Sequence, residues 1–521
     1  MKKKIVKTDK NGNQTEKEIY YIPVRYILAI LITVAETAAV VAIVVALMYK
    51  VPYFSIAVLL TQLGVILQIV NSNDNPDYKI PWLLIVLIVP VAGFMIYFMY
   101  YSRKLPKKFI KRLSNMNSID VKDDLEELNA LENEDILAYR QALQLCKTAN
   151  THLYRNTQMK YFEVGEKMHA AMLADLKNAE KFIFLEYFII EEGVFWNSIL
   201  EILKAKAAQG VEVRVVWDDI GCMALLPGDY YKTLEKMGIH AIPFARLRGQ
   251  ANNEFNNRSH RKIMVIDGKI GYTGGINIAD EYINVTHPFG HWKDTGIRMQ
   301  GEAVAELTKM FITDYALNFR KIAEEYEKYY CISEKYADDG FLIPFGSGPR
   351  PIYNKEVGKA VIMNMLNQAK RYVYITTPYL IIDNELCQAI ENAALRGIDI
   401  KIVTPHIPDK KIIFGMTRSS YKRFIDSGAE IYEYTPGFIH AKMYISDDEV
   451  AMIGTINLDY RSLVHHFENG VWLYKCDVID DIKADIIDTI SKSEKIELNS
   501  LKDTLLSRFI RSLVRIFAPM L

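Results

Sequence analysis

Cysteine is scarce in this chain: five residues in 521, at Cys146, Cys222, Cys331, Cys387 and Cys476, scattered and without a C-x-x-C pair. That excludes a disulfide framework and a thiolate zinc site, and it fits a reducing compartment. An excess of one charge is missing too. Lysine plus arginine and aspartate plus glutamate both total 63, so the formal net charge is zero. Without a global basic field, a nucleic-acid partner is not expected. No His, Asp and Glu set has metal-ligand spacing, so neither a metal nor another cofactor is expected. Length and apolar content are not lacking. At 521 residues, 50% of them hydrophobic, the chain exceeds one ordinary core, and two or three domains are expected.

The apolar excess gathers near the N-terminus in three runs, about Val24–Met48, Val51–Val70 and Ile80–Tyr101. Each approaches or exceeds the roughly 20 residues a helix needs to cross a bilayer. Pro52 and the stretch Asn71–Asp77 separate them, and Tyr49, Tyr53, Trp82, Tyr97 and Tyr100 sit near their ends as an interfacial belt would. Arg103, Lys104, Lys107, Lys108, Lys111 and Arg112 follow the last run, which places everything beyond it in the cytoplasm. The N-terminus, with Lys2, Lys3, Lys4, Lys7 and Lys10, also reads as cytoplasmic. Three crossings cannot satisfy both ends, so the crossing number stays open: either one run is re-entrant or interfacial, or the charge rule fails at one end. Glu36, in the middle of the first run, is expected to bond Gln62 or Gln68 of the next. Asp120 to Asp135 is acid-rich and reads as a solvated linker or helix.

The rest of the chain is a duplication. His260-Arg-Lys262-Ile-Met-Val-Ile-Asp267 and His440-Ala-Lys442-Met-Tyr-Ile-Ser-Asp447 both read H-x-K-x-x-x-x-D. Gly274-Gly275-Ile276-Asn277 and Gly454-Thr455-Ile456-Asn457 follow at matching offsets. Upstream, LADLKNAEKFIFLEYFII (173–190) answers MNMLNQAKRYVYITTPYLII (363–382), and ILKAKAAQGVEVRVVW (202–217) answers AIENAALRGIDIKIVTP (389–405). Alternating helices and β-branched strands argue for an α/β fold with a largely parallel sheet in each half. On a strand, residues i and i+2 share a face, so each His and Lys emerge together, which suits an anionic phosphate. Lys262, Lys442, Asn277 and Asn457 fit the role of donors to phosphate oxygens. Asp267 and Asp447 complete the candidate catalytic motif but need not share the His face, and they read as structural. Glu186 reads equally as a head-group ligand or a buried core acid.

The paired motif, the N-terminal apolar runs, FLEYFII, TTPYLI, Asn457-Leu-Asp459-Tyr-Arg461-Ser462 and the final Pro519-Met520-Leu521 resemble the phospholipase D superfamily, and within it the bacterial cardiolipin synthases. The resemblance covers nearly the whole chain. It implies two phospholipase D-like α/β/α halves sharing one active-site cleft, preceded by transmembrane helices. The divisions expected are 1–102, a membrane region; 103–150, a basic then acidic linker; 151–335 and 336–500, the two halves; and 501–521, an amphipathic helix carrying Arg508, Arg511 and Arg515. It also implies a multi-pass protein of the bacterial cell membrane that joins two phosphatidylglycerol molecules into cardiolipin and glycerol. Its catalytic region would be cytoplasmic, and a phosphohistidine would form on the way. His260 would be the nucleophile and His440 the acid–base. Glu468 matches the superfamily's acidic partner of histidine, and because the equivalent offset in the first half falls on Pro288, Asp294 takes that place. The alternatives are a phospholipase D-type hydrolase, a transferase using another alcohol and, from a different class, a non-catalytic membrane scaffold. A nuclease is disfavoured by the neutral charge.

Overall fold

The computed structural model describes residues 2–8, 14–20, 24–51, 53–100, 124–246, 257–318, 326–329, 336, 340–350, 352–353, 355–501 and 514–520. The basic cluster at 103–112 and most of the expected C-terminal amphipathic helix lie outside them.

The first half is built on β1 (Thr157–Phe162), β2 (Phe182–Tyr187), β3 (Glu212–Asp218), β4 (His240–Phe244), β5 (Lys262–Ile266), β6 (Ile270–Gly274) and β7 (Gly296–Gly301). Its edge-to-edge order is β1-β7-β6-β5-β2-β3-β4. The second half repeats the plan with β8 (Phe341–Ser347), β9 (Tyr372–Thr376), β10 (Asp399–Pro405), β11 (Glu430–Tyr434), β12 (Met443–Ser446), β13 (Val450–Gly454), β14 (Glu468–Tyr474) and β15 (Ser493–Lys495). Its order is β8-β14-β13-β12-β9-β10-β11, with β15 added at the edge.

The sheets are mixed, which corrects the largely parallel sheet expected. Only β2–β3–β4 and β9–β10–β11 run parallel; the motif strands pair antiparallel on both sides. Tight turns after the motifs are the reason, because only antiparallel neighbours can be joined by a few residues. Asp267 and Gly268 turn with φ of 55° and 68°, Asp447 and Asp448 with 60° and 65°, the left-handed backbone that fits a twisted hairpin. The motif carboxylates hold these corners. Asp267 accepts the backbone N–H groups of Glu180, Lys181 and Phe182 at 2.8, 2.7 and 2.9 Å. Asp447 does the same for Lys370, Arg371 and Tyr372 at 2.7, 2.8 and 3.0 Å.

The two halves share a core. Helix Val304–Asn318 of the first and helix Val478–Ser491 of the second contribute to one cluster with strands of both, including Phe184, Val265, Leu307, Phe311, Met443, Ile453, Val471 and Ile482. Burying apolar residues from both sides makes separation of the halves costly, at about 25 cal/mol per Å². The expected acidic linker is partly a packed element: Leu125–Glu134 and Ile136–Ala149 are helices, and Leu128, Leu131, Ala142 and Leu145 bury into the second half's core.

Toward the N-terminus, Val24–Lys50 is a 27-residue helix. Among the described residues, one helix, Phe54–Asn71, is long and apolar enough by composition to cross a membrane. The third apolar run is not one long helix: it is Pro76–Ile88 followed by Pro90–Tyr100. Gln62, one of the two partners expected for Glu36, donates to the Val86 carbonyl at 3.0 Å.

Candidate active site

Each motif enters its strand by leaning on the other half. The backbone N–H of His260 donates to Phe467 O at 2.8 Å, and that of His440 to Lys293 O at 2.7 Å. Gly437–Ile439, leading into the second motif, pairs in parallel with His291–Lys293. Phe467 and Lys293 each precede a carboxylate, so the same contact that places a histidine brings an acid beside it.

The result is a pair of crossed dyads. His260 Nδ1 meets Glu468 Oε2 at 2.9 Å, and His440 Nδ1 meets Asp294 Oδ2 at 2.6 Å. A carboxylate on Nδ1 fixes the tautomer and leaves Nε2 for chemistry. Both carboxylates are fully buried. Arg261 locks the arrangement further, giving Nε to the Glu468 carbonyl at 3.2 Å while its guanidinium holds Asp314 and the Tyr353 hydroxyl at 2.9 and 2.8 Å.

His260, His440, Asn277 and Asn457 line one cavity of about 950 Å³, with Arg258, Asp459, Arg461 and His466 among its polar walls and Phe188, Ile189, Tyr282, Phe289, Trp292 and Phe438 among its apolar ones. Tyr282 and Trp292 contact the His440 ring at centroid distances of 5.4 and 5.6 Å, and Phe188 contacts His260 at 5.0 Å. The two lysines stand just behind this surface. Lys262 donates to its own motif's His260 carbonyl at 2.7 Å, and Lys442 makes the same bond to the His440 carbonyl. Asn277 is committed on both sides, accepting from Ile189 N and donating to the Tyr282 hydroxyl, whereas Asn457 Oδ1 is buried without a partner. Asp267 and Asp447 do not line the cavity, which corrects their place in a catalytic set: they hold the corners described above. Glu186 does not reach it either; it is fully buried and accepts from Ser259 Oγ at 2.5 Å.

Burial governs the ionisation here. It pulls Lys262 down to about 7, with the charge of Lys442 adding to the effect, and Lys442 down to about 8. Burial and then Lys262 and Lys442 hold His260 well below the usual imidazole range, while burial and Lys442 bring His440 to about 4. Burial pushes Glu468 up to about 7 against the pull of Lys262. Asp294 goes the other way: burial opposes it, but His440 and Lys442 hold it below the usual carboxylate range. A phosphate anion beside them would raise both lysines and both histidines.

Sequence reasoning did not single out Arg258, Tyr282 or Trp292 as site residues. His466 also lines the cavity. Its ring lies 5.8 Å from that of His260, and both its nitrogens are buried without a hydrogen bond, Nδ1 lying 3.8 Å from Glu468 Oε1. His260, His466 and Glu468 offer three ligand atoms within 4.8 Å of one another. Two lysine ammonium groups beside this cluster favour an anion over a cation there.

Two α/β halves that each lend a histidine to one cavity and a carboxylate to the other half's histidine define a two-lobed phospholipase D-like fold. Comparisons with known proteins agree. The family described as "Cardiolipin synthase, PLD-like domain" matches residues 172–313 and 362–489, and "Phospholipase_D-nuclease N-terminal" matches 62–99. A cardiolipin synthase of Halalkalibacterium halodurans is 32% identical over 477 residues, 90% of this chain and 94% of its own. An uncharacterized protein of Streptococcus mutans is 40% identical over 467 residues, 88% of this chain and 100% of its own. Among solved structures, phosphatidylserine synthase of Haemophilus influenzae has the same fold, with a TM-score of 0.56 at 15% identity over 73% of this chain and 98% of its own. The chain belongs to the PLD-like cardiolipin synthase family.

Proposed function

We propose that this protein is a phosphatidyltransferase that makes cardiolipin from two molecules of phosphatidylglycerol, held in the bilayer by its N-terminal helices with the catalytic region on the cytoplasmic side. The observation that carries the reading is the pair of crossed dyads facing one cavity. His260 Nε2 attacks phosphorus, and the bond from phosphorus to the glycerol oxygen breaks as His440 gives that oxygen a proton. Glycerol leaves, and the phosphatidyl group stays on His260 as a phosphoramidate. His440, now neutral, takes the proton from a glycerol hydroxyl of the second lipid. That oxygen attacks phosphorus, the P–N bond breaks, and cardiolipin departs with His260 free again.

Lys262, Lys442 and Asn457 stabilise the phosphate oxygens as negative charge builds, and the apolar wall takes the first carbons of the lipid chains. Asp294, held anionic, supports the imidazolium that His440 becomes.

The test is purified protein in phosphatidylglycerol liposomes with metals chelated and lipid products resolved by mass spectrometry. Cardiolipin and free glycerol in equal amounts, absent with His260→Ala or His440→Ala, are expected. Phosphatidic acid in place of cardiolipin would make the protein a hydrolase.

A further inference from the structure

The third apolar run doubles back on itself. Helices Pro76–Ile88 and Pro90–Tyr100 lie side by side, not end to end: Trp82 packs edge-on against Tyr97 with ring centroids 5.8 Å apart. A Cβ on Gly93 would sit 2.5 Å from the Ile85 carbonyl oxygen, so glycine is what lets the two backbones approach. Val89, ahead of Pro90 and outside the helical region with φ −127° and ψ 77°, is where the chain reverses, as the residue before a proline is pushed out of that region.

The reversal leaves an apolar tip. Leu87, Ile88 and Val89 are exposed, Ile88 by 74%, while the hairpin's inner face buries Trp82, Val86 and Tyr97 against Val65 and Ile69 of the preceding helix. Its other end is polar and bound to the catalytic region. Asn75 donates to Asp383 Oδ2 at 2.8 Å, and Asp77 accepts from Asn384 N and from the Tyr460 hydroxyl at 2.9 and 3.2 Å. Tyr460 lines the cavity, and so does Ala518, whose segment packs against helix Pro76–Ile88.

We propose that Pro76–Tyr100 is a re-entrant hairpin that dips into the leaflet facing the catalytic region and returns to the same side, setting the cavity mouth at head-group level. Thirteen helical residues span about 20 Å, short of the roughly 30 Å of a hydrocarbon core, so neither arm crosses. We take Val24–Lys50, whose 27 residues span about 40 Å, as a crossing beside Phe54–Asn71, which makes two. Both lysine-rich ends, the N-terminus and 103–112, then fall on one side, as the charge bias requires and as three crossings do not allow. A phosphatidylglycerol molecule reaches His260 by lateral diffusion past the hairpin's base.

The inference rests on the membrane reading above, and one experiment separates the two. Tyr49→Cys, Asn73→Cys and Ile88→Cys are made singly in the full-length protein. Each variant is treated with a membrane-impermeant maleimide in right-side-out and inverted vesicles, with the parent protein as background and cardiolipin formation as the check on folding. Expected are Tyr49→Cys labelled from outside only, Asn73→Cys from the cytoplasmic side only, and Ile88→Cys from neither until detergent is added. A fourth variant, Ser102→Cys, should label from the cytoplasmic side only; its labelling from outside would mean a full crossing, and labelling of Ile88→Cys from the cytoplasmic side of intact vesicles a hairpin lying in water; either overturns the proposal. Tyr49→Cys and Asn73→Cys labelled from one side would instead overturn the crossings on which it stands.

Discussion

The two halves follow one plan, yet their dyads are not equivalent. His440 and Asp294 sit 2.6 Å apart with the aspartate held below its usual range, whereas His260 faces Glu468 at 2.9 Å with the glutamate raised to about 7. The neighbours differ as well. Gly275 leaves room for Asp294, whose Oδ1 would lie 2.0 Å from a Cβ there, while the equivalent Thr455 gives its hydroxyl to Glu468. An anionic partner favours imidazolium, which suits a residue that must hold and return a proton. A partner that itself tends to be protonated leaves the histidine neutral with a free lone pair, which suits a nucleophile. Duplication supplied two similar dyads, and these small differences of charge argue for dividing the labour as proposed, with His260 attacking and His440 shuttling the proton.

Removing a histidine should break the comparison most sharply. With a phosphodiester bearing a nitrophenolate leaving group, which needs no acid, His440→Ala should still release one equivalent in a burst. His260→Ala should give none, and steady-state turnover in both should fall on the order of 10⁴-fold or more. Next in size are the acids. Asp294→Asn should cost on the order of 10³-fold or more in kcat, because the charge behind His440 is lost, and Glu468→Gln about 10- to 100-fold; equal losses would erase the distinction between the dyads. The lysines set the pH dependence. They must be charged to bind phosphate and are lowered to about 7 and 8 in the free site, so kcat/KM should decline as pH rises through that range. The fall in kcat should lie at higher pH, since bound phosphate raises both groups. The smallest effect on chemistry belongs to the corners: Asp267→Ala and Asp447→Ala should each lower stability by about 1–3 kcal/mol, read as a lower melting temperature in detergent, with the kcat of the folded fraction nearly unchanged.

Much of this was legible in the chain. The duplicated H-x-K-x-x-x-x-D with its Gly-Asn follow-up pointed to two equivalent strands, and His260, His440, Asn277 and Asn457 do line one cavity. The resemblance named Glu468, and Asp294 in place of Pro288 at the matching offset, but not that each acid serves the other half's histidine. That pairing arises from strand contacts between residues about 150 to 210 positions apart, on which local sequence is silent. Sheet direction was misread because helix–strand alternation describes only β2–β4 and β9–β11, while the short turns at Asp267 and Asp447 set the rest. The third apolar run looked like a span because hydropathy counts residues and does not see Val89-Pro90 and Gly93 folding them back. Leu128 and Leu131, buried at three-residue spacing, were hidden in an acid-rich stretch.

The most direct test of the central claim is to find which histidine carries the phosphatidyl group. Wild-type and His440→Ala proteins would be mixed with the nitrophenyl phosphodiester, quenched within one turnover under conditions that preserve phosphoramidates, digested, and mapped by mass spectrometry. The adduct is expected on the peptide containing His260, and in His440→Ala it should persist far longer, for want of a base to activate the acceptor. An adduct on the peptide containing His440 in the wild-type protein would contradict the account.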